Sequence, residues 1–323
     1  MTKQIRSINR TSQPPHARAL LCIIAALWFA GPAPRALALS SPAPVAPRIA
    51  NEPLSGTPPR SMIADIAANE IRAIQHTNSY IRYRMHTHDA KGDRVRDIIE
   101  SKDGTVARLI LKDGHPLTPA EDEAERARLN DMLTSPSEFA KHVHNDKTGK
   151  KLAVDLISLM PDAMTYTYTP GQPQLPLPKF PRQIVLDYAP NPNWSPPNTT
   201  AEALTGLRGR MWIDPKTRDL LRMEGNVFQG VNLGWGMLAH IYPGGTLSLD
   251  QVEVGDGRWI FSRFVEQVKV RALMVKSINI DTTIEASDFQ PLPGPTSYTD
   301  AIHLLLHTPL PASAATATNA PSR

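Results

Sequence analysis

The feature that most constrains this chain is the stretch from Leu204 to Glu285, which turn sequences cut into strand-length pieces. Alternation and β-branched content mark six strands: Leu204–Ile213, Arg218–Gln229, Trp235–Tyr242, Thr246–Val254, Arg258–Ala272 and Leu273–Glu285. Their connections carry turn chemistry at Asp214-Pro215-Lys216-Thr217, Gly230 to Gly234, Pro243-Gly244-Gly245 and Gly255-Asp256-Gly257. No helical pattern separates them, so a doubly wound or barrel arrangement of parallel strands is poorly supported.

Upstream, residues 61–78 place Met62, Ile63, Ile66, Ala67, Ile71 and Ile74 at helical spacing. Three more strands, Tyr80–His88, Arg94–Ser101 and Thr105–Lys112, are joined by the tight turns Lys91-Gly92-Asp93 and Lys102-Asp103-Gly104. Thr118-Pro119-Ala120-Glu121 has capping-box spacing and opens a strongly charged helix. A second helix, from about Ser137 to Met160, is expected to be interrupted near Asn145–Lys150. Strands are expected at Met164–Thr169 and at Gln183–Tyr188, the latter inside a loop from Pro170 to Thr200 that holds nine of the 31 prolines.

Nine or ten strands against three helices predict an α+β fold: one large curved antiparallel sheet with helices covering a single face. Period two sorts the two sides of that sheet. Met211 and Ile213 share a side, as do Trp235 and Met237, while Phe264 sides with Val268 and Val270. Together with Met85 on an earlier strand, these residues are the candidate lining of a ligand site: Met85, Met211, Ile213, Trp235, Met237 and Phe264.

The segment Gly209-Arg210-Met211-Trp212-Ile213-Asp214-Pro215-Lys216-Thr217, followed by Leu220-Leu221-Arg222-Met223-Glu224, resembles a strand–turn–strand of the lipoprotein-sorting (LolA/LolB-like) superfamily. That superfamily includes the sensor domain of RseB/MucB-type periplasmic regulators. The order of elements agrees over about residues 60–290. The resemblance implies an open half-barrel whose concave apolar face, lidded by helices, holds acyl chains or another hydrophobic ligand. The family's carriers have an R-P-x-x-F-R-W-like segment with an arginine that tunes lid closure. Here Arg94–Lys112, Asp113-Gly114-His115-Pro116-Leu117 and the acidic helix stand in its place, and neither Arg82 nor Arg84 is matched to that arginine.

The beginning of the chain has the layout of an export signal. Lys3, Arg6, Arg10 and Arg18 precede an apolar run from Ala19 to Ala30, and Ala36-Leu37-Ala38 supplies a small-x-small cleavage pattern. The run is about 12 residues, against roughly 20 for a membrane-crossing helix. A signal peptide at 1–38, a Pro-rich tether at 39–59, a folded domain at 60–308 and a disordered tail at 309–323 are the expected divisions. Cleavage near Ala38 would place the mature protein in the periplasm or outside the cell. The chain's net charge of +4 changes character at that point: five of the 35 basic residues leave, so 30 remain against 31 acids, a net of −1. No nucleic-acid partner is expected from such a balance. The single cysteine, Cys22, leaves as well, so no disulfide scaffold forms.

The chain contains none of the sequence signatures of a serine hydrolase elbow, a zinc protease or a phosphate-binding loop. His86 with His88, and His142 with His144, are spaced as beginnings of a metal site, but no metal, cofactor or catalytic residue is assigned. Asp214 reads as turn chemistry, and the acids of the 121–131 helix as a salt-bridged face. The expected function is therefore non-enzymatic: a carrier that binds a lipid, an acyl chain or a lipid-modified protein, with an envelope membrane protein as a further partner. The alternatives are a sensor or protein-interaction domain of the RseB/MucB kind and a metal-dependent enzyme.

Overall fold

The computed structural model describes residues 54–75, 80–255, 257–273 and 275–311. The export signal, most of the tether, residues 76–78 of the first expected helix, Asp256, Met274 and the tail beyond 311 lie outside that description. Helix α1 (Arg60–Ile74) is followed by strands β1 (Ile81–Asp89), β2 (Gly92–Ser101), β3 (Gly104–Lys112) and the two-residue β4 (His115–Pro116). Helices α2 (Pro119–Thr134) and α3 (Pro136–Ala163) lead to β5 (Met164–Tyr168) and β6 (Ile184–Pro190). A 3-10 segment, Ala201–Gly206, opens a run of seven strands. These are β7 (Leu207–Ile213), β8 (Leu220–Val227), β9 (Val231–Leu233), β10 (Ala239–Ile241), β11 (Thr246–Glu253), β12 (Trp259–Ala272) and β13 (Lys276–Pro291), and helix α4 (Tyr298–His307) follows.

All thirteen strands join one sheet in the order β4-β3-β2-β1-β13-β12-β11-β8-β7-β6-β5, and the β9–β10 hairpin attaches through β10 to β12. Every pairing is antiparallel, and β4 and β5 end the order without meeting, so the sheet is open. The expected α+β class, a large antiparallel sheet with helices packed on it, is the architecture observed. Helix α1 and the second half of α3 cover one face, burying Met62, Ile63, Ile66 and Leu156 against Tyr83, Met211, Phe264 and their neighbours. Residues on a strand alternate sides, so Ile99 and Val106 point the other way, where Leu129 of α2, Phe139 of α3 and Ile302 and Leu305 of α4 enclose a second core. The helices thus lie on both faces at the β2–β3 end, rather than on one face alone.

Three local expectations need correction. Helix α3 is continuous through 145–150. His142, Asp146 and Lys150 recur every fourth residue on one side, with Asp146 and Lys150 buried near the Arg258–Glu100 ion pair. Gly149 costs a helix roughly 1 kcal/mol, and burial of Phe139, Ala153 and Leu156 along α3 offsets it. The expected strand Trp235–Tyr242 is instead a turn followed by β10, because Gly234, Trp235 and Gly236 all have left-handed φ values of 56°, 57° and 81°. Three successive left-handed residues leave the strand conformation altogether. Helix α4 had no counterpart in the sequence reading; Ser297 caps it by accepting from Asp300 N–H at 3.1 Å.

The turn after β7 forms as its residues require. Asp214 Oδ1 accepts from Lys216 N–H at 2.9 Å and Oδ2 from the Thr217 hydroxyl at 3.0 Å. Gly209 and Gly225 are register partners, and a Cβ on either would stand 2.7 Å from the Tyr188 hydroxyl, so the side-chain-free pair makes the notch that Tyr188 fills. The proline-rich loop is folded down with Leu175, Leu177 and Phe180 against Trp212 and Trp259, a cluster that Ala73 of α1 also joins. Prolines offer no N–H, and glutamines stand in for the missing ladder. Gln172 Nε2 donates to Thr169 O and Val185 O, and its Oε1 accepts from Val185 N–H at 2.9 Å. Gln183 accepts from Leu175 N–H at 2.8 Å and donates to Leu175 O and Phe180 O.

Gln183 is buried, so replacing it with Ala removes the partner of Leu175 N–H and of Phe180 O, while Leu175 O keeps the Leu177 N–H at 2.8 Å. Unfolding free energy is expected to fall by about 2–3 kcal/mol, seen as a lower urea midpoint at constant slope. A Gln183→Ala variant within about 0.5 kcal/mol of the wild type would show that other contacts hold the loop.

Candidate functional site

Between α1, α3 and the sheet lies a cavity of about 150 Å³. Ile63, Ile66, Ala67 and Glu70 of α1, with Leu156 and Met160 of α3, form its roof. Met211, Met223, Leu249, Phe264 and Val268 form the floor, from β7, β8, β11 and β12. Ala203 and Leu204 of the 3-10 segment and Val231 and Ile241 of the β9–β10 hairpin make the side wall. Register explains the floor: Met211 pairs with Met223 and Leu249 with Phe264, so these side chains meet on one face of four adjacent strands.

The candidate residues distribute unevenly about this space. Met211 and Phe264 line it. Met85 and Ile213 belong to the same buried core without lining the cavity, Met85 standing on β1 beyond β13 in the sheet order. Trp235 and Met237 are on the turn between β9 and β10, 89% and 59% exposed. The histidine pairs stay apart: His86 Nε2 meets Asp93 at 2.7 Å on β2, while His142 Nε2 meets Thr105 O at 2.8 Å beside α3. Among the described residues no group of three or more His, Cys, Asp or Glu side chains is arranged to hold a metal ion.

Two acids near the cavity were not among the candidates, although the sequence marks both. Glu70 sits within the apolar stripe Ile63, Ile66, Ala67 and Ile74 of α1. It is the one charged side chain in the lining, its Oε2 accepting from Gln251 Nε2 at 2.7 Å, and burial pushes its pKa up to about 7. Glu266 occupies the position between Phe264 and Val268 on the cavity-facing side of β12, opposite Leu247 and Thr282. It is fully buried, neither carboxyl oxygen has a hydrogen-bond partner, and burial raises its pKa to about 7 as well. An uncompensated buried carboxylate is costly, so each group favours its neutral form.

The sign of the resulting pH dependence follows from linkage. The ordinary value of 4.5 is below the folded value of about 7, so between them the folded state holds the extra proton. Stability from Glu266 is present below about pH 4.5 and is lost as pH rises through 7. Glu266→Gln is therefore expected to gain on the order of 3 kcal/mol over wild type at pH 8, with little difference at pH 4.5. Urea unfolding of both proteins at the two pH values measures it. An equal difference at both pH values would remove the carboxyl's ionisation as the cause.

No family model matches the chain, and no curated protein matches it. A comparison with solved structures finds the crystal structure of a DUF1329 family protein from Desulfovibrio piger at 12% identity, covering 77% of this chain and all of that one, with a TM-score of 0.30.

Proposed function

We propose that this chain is an exported, non-catalytic cell-envelope protein that holds an acyl chain, or the lipid anchor of a partner protein, between α1, α3 and the sheet. The observation that carries this reading is the cavity itself, lined by aliphatic, aromatic and methionine side chains with Glu70 as its one charged group. Ligand sites are mostly apolar concavities with a few placed polar groups, and this one fits that description. The export layout of residues 1–38 supplies the compartment in this reading. A cavity of about 150 Å³ has room for a ring of benzene's size or a short stretch of chain. A longer acyl chain requires α1 or α3 to shift, and Met160, Met211 and Met223 supply side chains that repack readily. Burying six to eight methylenes would contribute about 5–6 kcal/mol.

Native mass spectrometry of protein prepared without detergent is expected to find an acyl-bearing molecule bound. Ala67→Leu places extra methyl groups in the roof and is expected to weaken a fluorescent fatty-acid analogue about tenfold, the equivalent of 1.4 kcal/mol. An empty protein whose probe affinity is untouched by Ala67→Leu would overturn the assignment.

A further inference from the structure

Among the described residues, five of the eight exposed large apolar side chains are gathered at one place. The turn between β9 and β10 carries Trp235, Met237 and Leu238, and the turn between β12 and β13 carries Leu273 and Val275. The two tips are neighbours: Ala239 pairs with Ala272, and Leu273 N–H donates to Leu238 O at 2.9 Å. Trp235 and Val275 are each 89% exposed. Trp235 also holds a left-handed backbone conformation, φ 57°, which is uncommon for a bulky side chain.

Along the two hairpins themselves the charges have one sign. From Gln229 to Leu249 and from Gln267 to Ile280 the charged residues are Lys269, Arg271 and Lys276, with no acid in either stretch. Glu202, the nearby acid of the 3-10 segment, is already engaged by Gly234 N–H at 2.7 Å. Behind the apex, His240 and Tyr242 meet edge to face at 4.7 Å and Lys269 stands over the Tyr242 ring at 5.1 Å. The order from the tip inward is thus apolar and Trp-bearing, then basic and aromatic.

We propose that the paired tips form a foot that seats in the headgroup region of an anionic lipid bilayer. Tryptophan and tyrosine favour the membrane–water boundary, and each basic residue close to an anionic surface adds about 1 kcal/mol. Five exposed apolar side chains are few for a stable protein interface, which takes about 20–30 residues a side, but they suffice for shallow insertion. Among the described residues no helix is long and apolar enough to cross a membrane, so the contact is peripheral. The β9–β10 hairpin also supplies Val231 and Ile241 to the cavity wall, which sets the foot beside the cavity. The inference stands independently of what the cavity holds.

The apolar run Ala19–Ala30 can hold the full chain on vesicles by itself, so the readout must be local to the foot. The test places an environment-sensitive fluorophore at Val275→Cys in full-length Cys22→Ser protein and adds vesicles of phosphatidylglycerol and phosphatidylcholine. Emission is expected to brighten, shift to the blue and be quenched by brominated acyl chains. Trp235→Asp with Met237→Asp, both at exposed positions, is expected to abolish the response while the urea midpoint stays put. Arg271→Gln with Lys276→Gln is expected to raise the lipid needed by about 25-fold, from about fivefold per charge. A fluorophore that stays in water while the chain floats with vesicles would overturn the proposal, as would tips that respond only to a protein partner. An equal response to phosphatidylcholine alone would overturn the anionic headgroup assignment.

Discussion

Pairing along both edges of β12 is the constraint on which the rest of the molecule depends. One edge is taken by β13 from Arg263 to Ala272, and the other by β11 and then β10, so from Arg263 onward this 14-residue strand is paired on both sides. Its register places Phe264 against Leu249 and Ile284, and Val268 against the β9–β10 hairpin. The same strand therefore supplies the cavity floor, anchors the wall and sets the two exposed tips side by side. Glu266 is buried because a strand paired on both edges and covered on that face gives an alternate residue nowhere else to point.

Much of this was legible in the sequence because its signals are local. Alternation put Met211 and Phe264 on the same face, the Thr118–Glu121 capping box opened α2, and Asp214 closed its own turn. Alternation identifies a face but not a place on it, which is why Met85 and Ile213 share the core without reaching the cavity. The turn expected to end at Gly234 continues through Trp235 and Gly236, which alternation alone assigns to the strand. Helix α3 required tertiary knowledge: its middle is buried, and Glu100, the acid that favours the Lys150 charge there, is remote in sequence. The acids Glu70 and Glu266 carried the clearest neglected signal, each a charge inside an apolar period.

The charged helix α2 also has a more definite task than a solvated face. Glu125 Oε1 accepts from Leu109 N–H at 2.8 Å, and Arg128 Nη2 donates to Ala107 O at 2.6 Å. Arg108, almost fully buried, ties β3 to Asp122 of the same helix at 2.8 Å and to the end of α4 through Leu305 O and Thr308 O. The alternating charges thus divide into an ion pair that fastens two helices to β3 and a second set that occupies the backbone of that strand.

An open sheet has two free borders, and free borders recruit other strands. Here one border is β4, two residues long with Pro116 in it, and the β3 backbone behind it is occupied by Glu125 and Arg128. The other border is β5, five residues long, and the loop beyond it keeps its own backbone busy through Gln172 and Gln183. A sheet of thirteen strands consequently offers little template for polymerisation. The molecule can leave apolar side chains exposed at its hairpin tips without also leaving its edges open to copies of itself.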